Sequence, residues 1–198
     1  MTTTNEYDVT GRTPQVVRWT QRLESSRALD LPVRLLQHVA DAVTADPRRR
    51  DALRGMWLGH ALHPVLTDLT VGFWTSANVL DLVGGRQSRP ATTRLLALGA
   101  LSAVPTVLTG YAEWAETEQR EKRVGVVHAA SNALALALFT SSLVARRNDR
   151  HTRGVLLALA GSTSASLGGY LGGHLAAVRK VGSRHPVFSA SELTKEPS

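Results

Sequence analysis

Four histidines, His60, His63, His128 and His174, are the residues of this chain whose type and spacing promise chemistry. A neutral imidazole offers a nitrogen lone pair to a metal ion or to the iron of a macrocycle. His60 and His63 stand at the entrance to one long apolar stretch, His128 one turn inside another, and His174 near the exit of the last. Helices running alternately up and down would bring all four to one end, in a single layer. Tyr111, Glu113 and Trp114 reach the same end from the stretch between. Two chemistries use such a layer. A facing pair, with His63 and His128 preferred, supplies both axial nitrogens of a b-type haem, leaving His60 and His174 as alternative ligands or as hydrogen-bond partners. Alternatively, His63, His128 and His174 with Glu113 or Asp68 hold a divalent metal. Asn132, four residues after His128, shares its helix face and would orient the ring or bond a cofactor. Arg120 and Arg123 lie at the same end and would meet haem propionates. His38, His151 and His185 fall outside the layer and read as surface residues.

The elements that must carry these histidines are unusually poor in charge. The 198 residues are 20% charged and 43% hydrophobic, yet Lys, Arg, Asp and Glu are nearly absent from 63–83, 95–112, 124–145 and 155–178. Each stretch is near the ~20 residues that an α-helix needs to cross a bilayer. A soluble bundle keeps a charged face on each surface helix, and these stretches offer none. The mean hydropathy of -0.08 hides them because Ala, Gly, Ser and Thr are abundant, and those small residues favour close helix packing in lipid. The expected fold is all-α: a four-helix transmembrane bundle with short amphipathic N-terminal helices.

Residues 1–55 form that amphipathic region, with Leu35, Leu36, Val39 and Val43 at helical spacing among many arginines. Asp46-Pro47 reads as an N-cap followed by proline in the first turn of another helix. Residues 56–181 form the membrane domain and 182–198 a flexible polar tail. The net charge of +7 does not imply nucleic acid, since arginines flanking apolar spans answer to anionic lipid headgroups. No apolar signal segment precedes the first span. Four spans put both termini on one side, which carries ten span-proximal Lys and Arg against seven opposite. That bias predicts cytoplasmic termini in the cell (inner) membrane. With no cysteine, the chain cannot supply a disulfide, a thiolate nucleophile or an iron–sulfur cluster.

Several segments, in order, resemble the DUF2231 family of predicted four-span membrane proteins over about residues 53–181. They are Gly59-His60-Ala61-Leu62-His63-Pro64 with Val65, Asp68 and Leu69, then Leu80-Asp81-Leu82 and Thr109-Gly110. His128 with Asn132 and the run Gly168-Gly169-Tyr170-Leu171-Gly172-Gly173-His174 complete the set. Some relatives carry a Rieske-type iron–sulfur domain after the last span, so the resemblance implies electron transfer and an iron–sulfur or respiratory-complex partner. Ala61 stands where relatives often have proline, and Thr70 departs from an apolar-proline pair.

Three functions follow as expectations. The first is a cytochrome-like electron-transfer subunit binding haem b, with a divalent-metal protein as the alternative use of the same layer. The second is a cofactor-free assembly subunit or homodimer, built on the two overlapping GxxxG patterns of 168–173. The third is a channel or transporter using Asp68, Asn78 and Asp81 as a polar track. No evident inverted repeat supports the third, and no nucleophile–base motif or phosphate loop supports a soluble enzyme.

Overall fold

A computed structural model describes residues 14–182, and the elements among them are all helical. His185 and nearly all of the expected tail lie outside the described residues. Among those described, the α-helices are α1 (Gln15–Ser25), α2 (Asp30–Thr44), α3 (Pro47–Leu53), α4 (Leu62–Val83), α5 (Arg89–Trp114), α6 (Gln119–Arg147) and α7 (His151–Gly173). A π-helical turn, His174–Val178, continues α7. The start of α3 follows from its residues: the Asp46 carboxylate accepts the Arg49 backbone N–H at 2.8 Å, and Pro47 fills the first turn. Gly55 takes φ +74° between α3 and α4, where a Cβ would run into the His60 carbonyl.

Three helical stretches, Arg86–Trp114, Gln119–Arg147 and His151–Val178, are long and apolar enough to cross a membrane. Each has at least 28 residues, and at about 1.5 Å per residue exceeds the ~30 Å hydrocarbon core. The chain is thus a multi-pass membrane protein with three apolar spans. The first stretch read from the sequence, 63–83, is α4. Its 22 residues form one unbroken helix, but Asp68, Asn78 and Asp81 interrupt the apolar run and it is not among the three.

α4 packs most extensively on α5, and α6 on α7; α5 then meets α6, and α4 meets α7. At the centre, the Trp74 and Phe139 rings stack with centroids 4.3 Å apart and planes at 16°. Leu96, Ala103, Ala135, Leu143 and Ala158 close around them. Glycines make room for both rings: a Cβ at Gly161 would lie 3.1 Å from Phe139, and one at Gly99 would strike the Trp74 indole.

These contacts reveal an internal repeat that the sequence hides. His63 meets His128, Trp74 meets Phe139 and Asp81 meets Arg146, each pair 65 residues apart. α4 and α6 therefore run parallel, with equivalent positions facing each other along one line. Their partner helices repeat as well, Gly99, Ser102 and Gly110 of α5 corresponding to Gly161, Ser164 and Gly172 of α7. The hairpins α4–α5 and α6–α7 are two versions of one unit, related by a pseudo-two-fold axis along the helices. This is a parallel repeat rather than an inverted one.

The N-terminal helices cover one end: α1 lies on α6, α2 on α5 and α6, and α3 on α5. Val33 and Ala40 are buried, whereas Leu31, Leu35 and Val39 form an exposed row at four-residue spacing.

Candidate functional site

His63 and His128 sit near the starts of α4 and α6, and the pseudo-two-fold axis brings them together. Their ring centroids are 6.4 Å apart and the planes cross at 77°. Each ring is held by a backbone carbonyl of its partner helix. The Nδ1 of His63 lies 2.9 Å from the Thr106 carbonyl oxygen, and that of His128 lies 2.8 Å from the Gly168 carbonyl oxygen. A carbonyl can only accept, so both Nδ1 atoms carry the proton and both Nε2 atoms keep a lone pair. The Asn132 amide nitrogen lies over the His128 ring, 3.1 Å from Nε2 and 3.4 Å from Nδ1, out of line with the Nε2 lone pair.

One turn beyond each anchoring carbonyl comes a glycine on which the ring rests. A Cβ at Gly110 would stand 2.9 Å from His63 Cε1, and one at Gly172 would stand 2.9 Å from His128 Cε1. Gly168 faces Asn132 so closely that a Cβ would collide with its amide. The GxxxG run therefore divides by face. Gly168 and Gly172 serve the internal histidine site, while nothing lies within 4 Å of a Cβ built at Gly169 or Gly173.

The other members of the expected layer go elsewhere. His174 Nε2 lies 2.8 Å from Glu24 Oε1, on α1, and Arg179 grips both oxygens of the same carboxylate. Burial pushes the Glu24 carboxyl up, but the hydrogen bonds from Arg179 and His174 outweigh it and hold the group below its usual value. Arg123 is committed to Asp30, with Nε 2.8 Å from Oδ1 and Nη2 3.1 Å from Oδ2. That guanidinium, with the Gln119 amide, holds the Asp30 carboxyl below its usual value. Arg120 is exposed beside the same surface depression as Arg123 and Arg179. Asp68 is exposed on the outer face of α4, next to the exposed Val65 and Leu69.

Glu113, near the end of α5, is only 9% exposed. It lines a cavity of about 480 Å³ with His60, Arg54, Glu121 and Arg179, and neither His63 nor His128 is in its wall. Glu113 Oε1 is buried without a hydrogen-bond partner. Among the described residues, no three His, Asp or Glu side chains are grouped closely enough to hold a metal ion. The set His63, His128, His174, Glu113 and Asp68 is therefore not gathered: two imidazoles converge and the others disperse.

The polar track along α4 also separates into closed pairs. Asn78 Nδ2 donates to Ser162 Oγ at 2.6 Å. Asp81 and Arg146 form a two-pronged ion pair, 2.8 and 2.5 Å, with side chains 4% and 3% exposed, and Arg146 Nε also reaches Ser142 Oγ. Sequence reasoning missed this pair, counting Arg146 as a flanking charge. The missed signal was the equal spacing of His63–His128 and Asp81–Arg146.

Neither a curated protein nor a solved structure matches the chain. The model of one family of predicted membrane proteins, DUF2231, matches residues 59–185, which begin at the Gly59-His60 motif and take in both hairpins. With well over half its length matched and the paired histidines inside the match, the chain belongs to the DUF2231 family.

Proposed function

We propose that the protein is a cytochrome-like electron-transfer subunit of the cell (inner) membrane that holds haem b between His63 and His128. In this reading α4 is a fourth span, so that α4–α7 form a four-helix transmembrane bundle. The amphipathic α1–α3 cover its terminal end, on the cytoplasmic side. One observation carries the proposal: two facing imidazoles, each fixed through Nδ1–H by a backbone carbonyl, and each with an Nε2 lone pair. Ligating histidines use their other N–H in this way. The 6.4 Å separation of the rings is close to the roughly 6 Å set by two metal–nitrogen bonds of about 2 Å and two half-rings.

The residues fit the group in a second respect. Gly110 and Gly172 let the two rings lie directly against the backbone of α5 and α7, which fixes the ligands in place. Haem iron would supply one-electron chemistry. The chain's own residues orient the ligands, exclude water and set the local charge. Asn132 would position His128, and exposed Arg120 is better placed than Asp30-bound Arg123 to meet a propionate. The electron partner would be an iron–sulfur or other respiratory-complex protein.

A second reading, an assembly subunit or homodimer without cofactor, is favoured by the open Gly169–Gly173 face of α7, where a partner helix could approach closely. One experiment separates the two. Protein expressed with haem supplementation is purified in mild detergent, and haem is measured by its Soret band and pyridine haemochrome. Near-stoichiometric haem, lost in both His63→Ala and His128→Ala, supports the electron carrier. Haem retained in both variants overturns the ligand pair, and no haem in the parent protein leaves the assembly reading.

A further inference from the structure

The histidine pair has a buried acid close by that the ligand scheme does not use. Glu113 follows Gly110 by three residues on α5, so it lies about one helical turn, ~4.5 Å of rise, from the glycine that touches His63. It is nine-tenths buried, and its Oε1 has no hydrogen-bond donor. A backbone position, Gly182, sits against Oε2. The cavity of about 480 Å³ connects this carboxyl to solvent at the terminal end. A buried carboxylate oxygen without a donor is costly to keep charged, and protonation removes much of that cost.

We propose that Glu113 is the proton acceptor of the redox site, taking up a proton from the cavity when the group between His63 and His128 is reduced. This rests on the electron-carrier reading above. The step balances simply. One electron arrives from an external one-electron donor and one proton from solvent; the Glu113 carboxylate becomes a carboxylic acid, and no other bond forms or breaks. The coupling is electrostatic, because added negative charge at the histidine site favours the neutral form of a nearby acid.

The groups around Glu113 identify it as the acceptor. Arg54 and His60 face the cavity from the segment between α3 and α4, Glu116 and Glu118 from the α5–α6 connection, Glu121 from α6, and Arg179 and Lys180 from the segment after α7. Glu116 and Glu118 are exposed. Glu121 has an oxygen without a hydrogen bond too, but Arg179 stands 3.8 Å from its other oxygen and supports its charge. Glu113 combines burial, a missing donor and a place one helical turn from the glycine that His63 touches.

The test is a redox titration of the full-length haem-loaded protein across neutral pH, with reduced-minus-oxidised infrared spectra. The parent protein should show a midpoint potential falling by up to about 59 mV per pH unit and a protonated carboxyl band gained on reduction. Glu113→Gln should flatten the slope and abolish the band, while Glu113→Asp, which keeps a carboxyl, should retain both. A potential independent of pH in the parent, or an unchanged slope in Glu113→Gln, overturns the proposal and leaves the electron-carrier reading intact. Absence of haem from the parent protein overturns that reading, and this proposal with it.

Discussion

His63 and His128 are each anchored by a backbone carbonyl of the partner helix. The carbonyls of Thr106 and Gly168 set both tautomers, and the sequence could not announce them because every residue has a carbonyl. The histidines themselves were legible, as were Gly110 and Gly172. His174 was misplaced for a different reason: its depth along α7 was right, but its partner, Glu24, is 150 residues away on a helix with no spacing relation to it. That contact makes a prediction of its own. The Glu24 carboxyl lies below its usual value of 4.5 in the folded chain, so its contribution to stability is complete above that value. It is lost as pH falls through the lower folded value. α1 should therefore detach in acid, seen as faster proteolysis within residues 15–25. Glu24→Gln should show that cleavage already at neutral pH. Protection unchanged in both cases would remove Glu24 as the anchor.

At the scale of elements, charge-free runs located α5, α6 and α7, and Asp46-Pro47 located α3. The repeat escaped notice because equivalent positions hold different residues: Trp74 opposite Phe139, and Asp81 opposite Arg146. Opposite charges at equivalent sites make the repeat testable. Asp81→Ala leaves a guanidinium buried without its partner and should cost about 3–5 kcal/mol. Arg146→Met should also destabilise, by stranding the carboxylate. The exchanged protein, Asp81→Arg with Arg146→Asp, should recover more than half of the loss, because the axis maps each site onto the other. Thermal unfolding in detergent measures all three. An exchange as damaging as both single changes combined would show that the hairpins are not equivalent there. The exposed row Leu31, Leu35 and Val39 on α2 shows that periodicity reports an apolar face without saying whether protein or lipid covers it.

For the whole molecule, the central question is how four antiparallel helices sit in the bilayer. If α4 is a span, the turns at 84–88 and 148–150 share one side of the membrane, with Trp57 and the connection at 115–118 on the other. The chain has no cysteine, so single cysteines introduced at Gln87, Asp149, Trp57 and Thr117 report topology without background. Membrane-impermeant thiol reagent applied to intact cells should label positions 87 and 149 and spare 57 and 117. Labelling of 57 together with 87 and 149, or of 117 alone, would remove α4 from the spans. Such topology would also place the histidine pair at the cytoplasmic end, where the arginine excess lies. The pairing of those histidines is tested most directly by low-temperature electron paramagnetic resonance of the oxidised, haem-loaded protein. Two imidazoles crossing at 77° predict a low-spin ferric signal of the strongly anisotropic kind that near-perpendicular axial rings produce, abolished in His63→Ala and in His128→Ala. A high-spin signal, or a low-spin signal that survives either substitution, would contradict ligation by this pair.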